Sequence, residues 1–141
     1  QVILSGRRVN DNMGSFVANQ VIKLMIKNEI RIKNYRTLIL GITFKENCPD
    51  IRNSKVIDIY KELTNYGVEV DIYDPYASPI NVKSEFNITL IKKIKKYDSI
   101  VLAVAHKEFL SFDISNFVKN SKSVVFDIKS ILNRKKVNKR L

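Results

Sequence analysis

Three short apolar runs rich in Val, Ile and Leu, residues 37–42, 99–105 and 123–128, constrain this chain more than anything else in it. A fourth segment, 68–73, alternates Val68, Val70 and Ile72 with charged residues. Strands that are apolar on both faces belong to parallel sheets covered on both sides. Parallel strands need crossover connections, and residues 55–65 supply one. Val56, Ile57, Ile59, Tyr60 and Leu63 share a helical face there, and Gly67 follows as a stop signal. Residues 78–86 read as a loop or short extended piece. Residues 89–97 read as a short basic helix with Leu90, Ile91 and Ile94 inward, and residues 112–120 as another short helix. The expected fold is α/β, a Rossmann-like doubly wound parallel sheet with helices on both faces.

One more helix precedes the sheet. Phe16, Val17, Val21, Ile22, Leu24, Met25 and Ile26 recur at helical spacing behind a cap at Asn10 or Asp11. Residues 27–36 are a polar, basic connection, so the domain proper is expected over 35–141.

Composition narrows the function classes. The chain has 141 residues, 45% hydrophobic and 28% charged, which suits one ordinary domain with a core. It has no apolar stretch of ~18 residues, and its start has no signal-peptide layout. Its first residue is Gln1, which fits a fragment of a longer protein. The net charge of +11 comes largely from lysines spread over helix faces and the run 133–140. Aromatic residues do not interleave with Lys and Arg on one face, so a solvated basic surface is expected rather than a nucleic-acid site. The single cysteine, Cys48, cannot form an internal disulfide, which fits a reducing, cytoplasmic setting.

The chemistry concentrates between the first strand and the helix after it. The run Gly41-Ile42-Thr43-Phe44-Lys45-Glu46-Asn47-Cys48-Pro49-Asp50-Ile51-Arg52-Asn53-Ser54-Lys55 places two cations at the carboxyl end of a strand and just ahead of a helix N-terminus. Such a position favours an anion, because the first N–H groups of a helix are free and carry partial positive charge. Lys45 suits a phosphate or a ribose hydroxyl. Arg52 offers a planar fork that needs an anion, either Asp50 or a ligand. Asn53 or Ser54 is the expected cap of the helix. A G-x-G-x-x-G dinucleotide fingerprint is absent, since the four glycines are Gly6, Gly14, Gly41 and Gly67. His106 is the sole histidine and has no nucleophile beside it, so local hydrogen bonding is its expected role. No His/Cys/Asp/Glu set has metal-ligand spacing, and no metal is expected.

The same run resembles the C-terminal domain of the UDP-glucose/GDP-mannose dehydrogenase family. The matching residues are Thr43-Phe44-Lys45, Asn47, Asp50, Arg52 and Ser54, then a helix, a strand and Asp74-Pro75. Upstream, Ser5-Gly6-Arg7-Arg8-Val9-Asn10-Asp11-Asn12-Met13 resembles the end of the family's central helical segment, and the wording is closest to members acting on UDP-N-acetylhexosamines. The resemblance implies that residues 1–34 end a central dimerisation segment and that 35–141 bind a UDP-sugar. It implies substrate contacts from Phe44, Lys45 and Lys129, the last in Asp127-Ile128-Lys129, where some relatives have arginine. It implies that Arg52 sits at the interface with the NAD-binding domain, near the cofactor. The parent would be a homodimeric oxidoreductase. It would oxidise the C6 alcohol of the sugar to a carboxylate, using two NAD and a cysteine outside these residues, for surface polysaccharide synthesis. Cys48 falls where the family pattern varies, so it is expected to be non-catalytic. The chain lacks both the NAD fingerprint and the nucleophile, so by itself it is expected to be inactive. A stand-alone nucleotide-binding or regulatory module is the alternative.

Overall fold

The computed structural model describes residues 13–28 and 35–140. The helix cap expected at Asn10 or Asp11, and the wording at 5–12, lie outside them. Five strands form one sheet: β1 (Arg36–Leu40), β2 (Glu69–Tyr73), β3 (Ser99–Leu102), β4 (Val124–Asp127) and β5 (Lys139–Arg140). Their order is β2-β1-β3-β4-β5 and every pair is parallel. Leu40 lies opposite Tyr73 on one side and Leu102 on the other, and Leu102 lies opposite Asp127. The loops that leave these residues therefore emerge along one edge. The chain runs outward from β1 to β2, then returns to β3 on the far side of β1. That reversal makes the ends of β1 and β3 the switch point, the usual ligand crevice of a doubly wound sheet.

Strand alternation sorts the core into two layers. Ile39, Ile72, Val101 and Phe126 meet two helices, α1 (Met13–Lys27) and α2 (Val56–Asn65). α1 buries Gly14, Val17, Ala18, Val21, Ile22 and Met25. Phe16 and Ile26, expected on that face, are exposed; at 100° per residue Phe16 points away and Ile26 stands at the margin. Gly14 lets the two helices close up, because a Cβ there would run into Asp58 of α2. α2 begins one residue later than expected. Its cap position is Lys55 with no side-chain cap bond, while Ser54 Oγ accepts from Val56 N at 3.3 Å. Asn53 cannot serve, since it is held at φ 60°.

The opposite face is covered differently from the expectation. Leu38, Leu40, Ile100, Leu102 and Val125 pack under Tyr97, Phe109, Ile114 and Leu132, without a regular α-helix. Residues 89–97 are irregular because their amides are spent elsewhere. Ile91 N donates to Ile72 O at 3.0 Å and Tyr97 N to Phe117 O at 2.8 Å. The apolar residues Leu90, Ile91 and Ile94 do point inward. Residues 112–120 contain only the single turn Ile114–Asn116, preceded by another at Lys107–Ser111, before Val118 pairs with Tyr97. Conversely, 78–86 is helical: α3 (Pro79–Phe86) starts at a Ser78 side-chain cap with Pro79 in its first turn. β5 emerges from the basic run 133–140, which was expected to be solvated. Asn138 docks it by bonding both the N–H and the C=O of Val125.

Candidate functional site

The site is built where β1, β2, β3 and β4 end. Gly41 turns the chain with φ +96° and donates to Tyr73 O at 2.9 Å. Beyond it the loop is tied to Asp74, whose carboxylate is buried. Asp74 Oδ2 accepts from Ile42 N at 2.7 Å, Thr43 N at 3.3 Å and His106 Nε2 at 3.0 Å. Its Oδ1 accepts from Tyr76 N at 2.7 Å and Ala77 N at 3.0 Å. Burial pushes this carboxyl up, but His106 and the three amides of Ile42, Tyr76 and Ala77 outweigh it and hold the group below the ordinary carboxylate range. Asp127 plays the same part at the end of β4. It is fully buried and accepts from Lys129 N at 3.0 Å, Ser130 N at 2.8 Å and Leu132 N at 2.8 Å.

These anchors set out three side chains around one cleft. Phe44, Lys45 and Lys129 line a cavity of about 210 Å³, with Val56, Val104 and Ile128 among its apolar walls. Phe44 is 56% exposed, so its ring stands clear of the core. Both lysines are exposed, and neither has an ion-pair partner among the described residues. The first turn of α2, at Val56, opens on the same space. One exposed aromatic ring, two unpaired cations and a helix N-terminus form a surface for a flat ring attached to an anion.

Arg52 belongs elsewhere. It lines a separate cleft of about 820 Å³ with Asp50, Ser54, Asn81 and Glu85. Its Nε donates to Asp50 Oδ1 and its Nη2 to Asp50 Oδ2, both at 3.0 Å. Of the two anions the sequence allowed for Arg52, the described residues supply Asp50. The pair holds the Asp50 carboxyl down at about 2. The Arg52 side chain is nevertheless 85% exposed, so the pair stands on the surface rather than inside it.

The residues that sequence reasoning passed over are the anchors. Asp74 was noted only as part of Asp-Pro, and Asp127 only as a neighbour of Lys129. The available signal was an aspartate directly following an apolar strand and leading into a tight turn, the position where a carboxylate can collect free backbone N–H groups. His106 makes the local hydrogen bonds expected of it. Cys48 is a free thiol, half-buried, and lines neither cleft.

A dinucleotide cradle does not fit these residues. In a dinucleotide-binding sheet a short glycine-rich turn lets the pyrophosphate reach the backbone. Here the β1–α2 loop is long and folds back on itself through Phe44 N to Asp50 O at 2.7 Å. Its only glycine, Gly41, is filled over by Val104.

Residues 38–134 match the model of the UDP-binding domain of the UDP-glucose/GDP-mannose dehydrogenase family. The chain is 43% identical over its full length to 34% of a UDP-N-acetyl-D-glucosamine 6-dehydrogenase from Pseudomonas aeruginosa. It is 47% identical, over 94% of its length, to 32% of the enzyme of the same name from Salmonella typhi. It thus spans about a third of the length of these relatives. In fold it is similar to a UDP-D-ManNAc dehydrogenase from Pyrococcus horikoshii, with TM-score 0.78 and 24% identity over 95% of this chain and 31% of that one. An NDP-N-acetyl-D-galactosaminuronic acid dehydrogenase from Methanosarcina mazei superposes with TM-score 0.83 at 17% identity, over 94% of this chain and 28% of that one. The chain belongs to the UDP-glucose/GDP-mannose dehydrogenase family, and the parallel sheet with its switch-point cleft is that family's UDP-binding domain.

Proposed function

We propose that this chain is the C-terminal substrate-binding part of an NAD-dependent nucleotide-sugar 6-dehydrogenase that acts on a UDP-N-acetylhexosamine. Phe44 stacks on the base or sugar, and Lys45 and Lys129 neutralise the pyrophosphate. Arg52 faces the NAD-binding domain of the same enzyme. Residues 1–34 come from the central segment through which two subunits pair, and residues 35–141 form the UDP-binding domain. The uronic acid product serves surface polysaccharide synthesis in the cytoplasm. The observation that carries the reading is the meeting of Phe44, Lys45 and Lys129 in one cleft at the switch point, although Lys129 is more than eighty residues from the other two. The names of the similar dehydrogenases support the choice of sugar.

The chain's own share of the activity is binding and placement. The family's chemistry is hydride transfer to NAD, and the described residues offer no cradle for that cofactor. Calorimetric titration of the chain with UDP, UDP-N-acetylglucosamine and NAD tests the reading. Binding of UDP and its sugar, weakened about 10- to 100-fold in Lys45→Ala, is the expected result, as for loss of a charge-assisted hydrogen bond. Binding of NAD without UDP would overturn it.

A further inference from the structure

The loop that carries Phe44 and Lys45 is held by a residue more than fifty positions away. His106 is fully buried, and its two ring nitrogens face opposite ways. Nδ1 lies 2.9 Å from the backbone N of Asn47, and Nε2 lies 3.0 Å from Asp74 Oδ2 and 3.1 Å from Thr43 Oγ1. A backbone N–H only donates, so Nδ1 must present its lone pair and the ring proton must sit on Nε2. Thr43 Oγ1 gives its own hydrogen to Lys45 O at 2.9 Å, so it faces Nε2 as an acceptor. Every donor then meets an acceptor in this single tautomer. Tyr76 packs against the ring with a 35° tilt at 4.6 Å between centroids, and Phe109 flanks it at 5.4 Å.

Asn47 completes the closure. It is held in the left-handed region, φ 56°, and its Oδ1 accepts from Lys107 N at 2.8 Å. The turn between Thr43 and Asn47 is thus clasped at both ends to the loop after β3. The backbone of Lys45 is fixed by Thr43, while its side chain stays free in the cleft.

We infer that His106 is the positioning residue of the nucleotide site, its Nδ1 latching the Asn47 amide so that the turn presents Phe44 and Lys45 opposite Lys129. This inference rests on the proposed UDP reading of the cleft. The residue touches no ligand; it acts by holding the turn in the one conformation that completes the cleft before a ligand arrives. Pre-organisation of this kind lowers the ordering cost of binding.

Two substitutions separate the latch from the rest of the ring's work. In His106→Asn the side-chain oxygen takes the place of Nδ1 and keeps an acceptor for Asn47 N. In His106→Gln the side-chain nitrogen takes the place of Nε2, which keeps the donor to Asp74 and loses the latch. The expected result is UDP affinity within about threefold of the parent in His106→Asn, and about tenfold or more weaker in His106→Gln, the loss of one hydrogen bond's worth of order. Equal affinity in the two variants would overturn the inference. Because His106 is the sole histidine, nitrogen NMR of the unsubstituted chain reads the latch even where the variants do not fold. An unprotonated Nδ1 beside a protonated Nε2 is expected, in the free chain and with UDP added alike. A proton on Nδ1, in the free or the UDP-bound chain, would overturn the inference. Failure of the unsubstituted chain to bind UDP, with the expected tautomer present, would instead sink the reading of the cleft.

Discussion

Gly41 and Val104 touch across the switch point so closely that a Cβ on Gly41 would stand 2.5 Å from the Cβ of Val104. β1 must turn away there with φ +96°, and β3 must leave alongside it. Gly41→Ala therefore adds both a clash and backbone strain at the root of the β1–α2 loop. A loss of about 2–4 kcal/mol is expected in urea unfolding, combining overpacking with left-handed strain. A loss under about 0.5 kcal/mol would mean the two strand ends are not locked together as described.

The two buried aspartates should prove more important than their polarity suggests. Asp74→Ala orphans the amides of Ile42, Tyr76 and Ala77 together with the His106 donor. A cost of about 3–5 kcal/mol is expected, that of removing one partner from a buried charged network. The sign with pH follows from the depressed carboxyl of Asp74. A carboxylate held below its unfolded value contributes stability above that value and loses it as pH falls through the folded one. Urea midpoints measured from neutral pH into the acid range should therefore drop below the ordinary carboxylate range, and the drop should be shallower in a folded Asp74→Asn variant.

Asp50 gives a second, local titration. Its carboxyl sits at about 2 because Arg52 bonds it with both arms, and its unperturbed value is 3.8. Carbon NMR of the Asp50 side chain should show a midpoint near 2 in the unsubstituted chain, moving part of the way to 3.8 in Arg52→Ala, because the backbone N–H at position 52, which also lowers it, survives the substitution. The pair is exposed, so overall stability should change little. A midpoint unmoved by the substitution would show that the ion pair does not form in solution.

Separation of the two clefts predicts a separation of phenotypes. Arg52→Ala in this chain should leave UDP affinity within about twofold, since Arg52 lines a different cavity from Phe44, Lys45 and Lys129. Lys129→Ala should weaken it about tenfold, the scale of one charged contact. If Arg52→Ala abolished UDP binding while Lys129→Ala did not, the assignment of the clefts would be reversed. Isothermal titration on both variants decides it.

Asp127→Asn tests how Lys129 is presented. The carboxylate gathers the amides of Lys129, Ser130 and Leu132, and Ser130 is held at φ 57°. The amide can still accept with one oxygen, so the chain should fold with a loss of about 1–3 kcal/mol. UDP affinity should fall with it, although Lys129 itself is unchanged. Unchanged affinity in a folded Asp127→Asn would show that the loop holds its shape without the carboxylate.

Much of this architecture is legible in the residues alone. Apolar β-branched runs dictate strands buried on both faces, and buried parallel strands with a helical crossover dictate the doubly wound sheet. Phe44, Lys45 and Lys129 could be named because the words around them resemble the family's motifs, in loops that follow such strands at one edge. Propensity misled where tertiary partners claimed the backbone. Residues 89–97 have a helical pattern, but Ile72, Asp71 and Phe117 take their polar groups. Residues 78–86 look like a loop, yet Ser78 and Pro79 suffice to start a helix.

The sequence by itself determined the parallel α/β sheet, its two long helices and the family, because periodicity and motif wording are local properties. Only the tertiary structure decided that Arg52 and Lys45 line different clefts, that Asp74 and Asp127 hold the loops, and that His106 grips Asn47. Those relations join residues from separate strands through buried hydrogen bonds whose strength depends on exclusion of water. No spacing along a chain records which groups will share that dry interior.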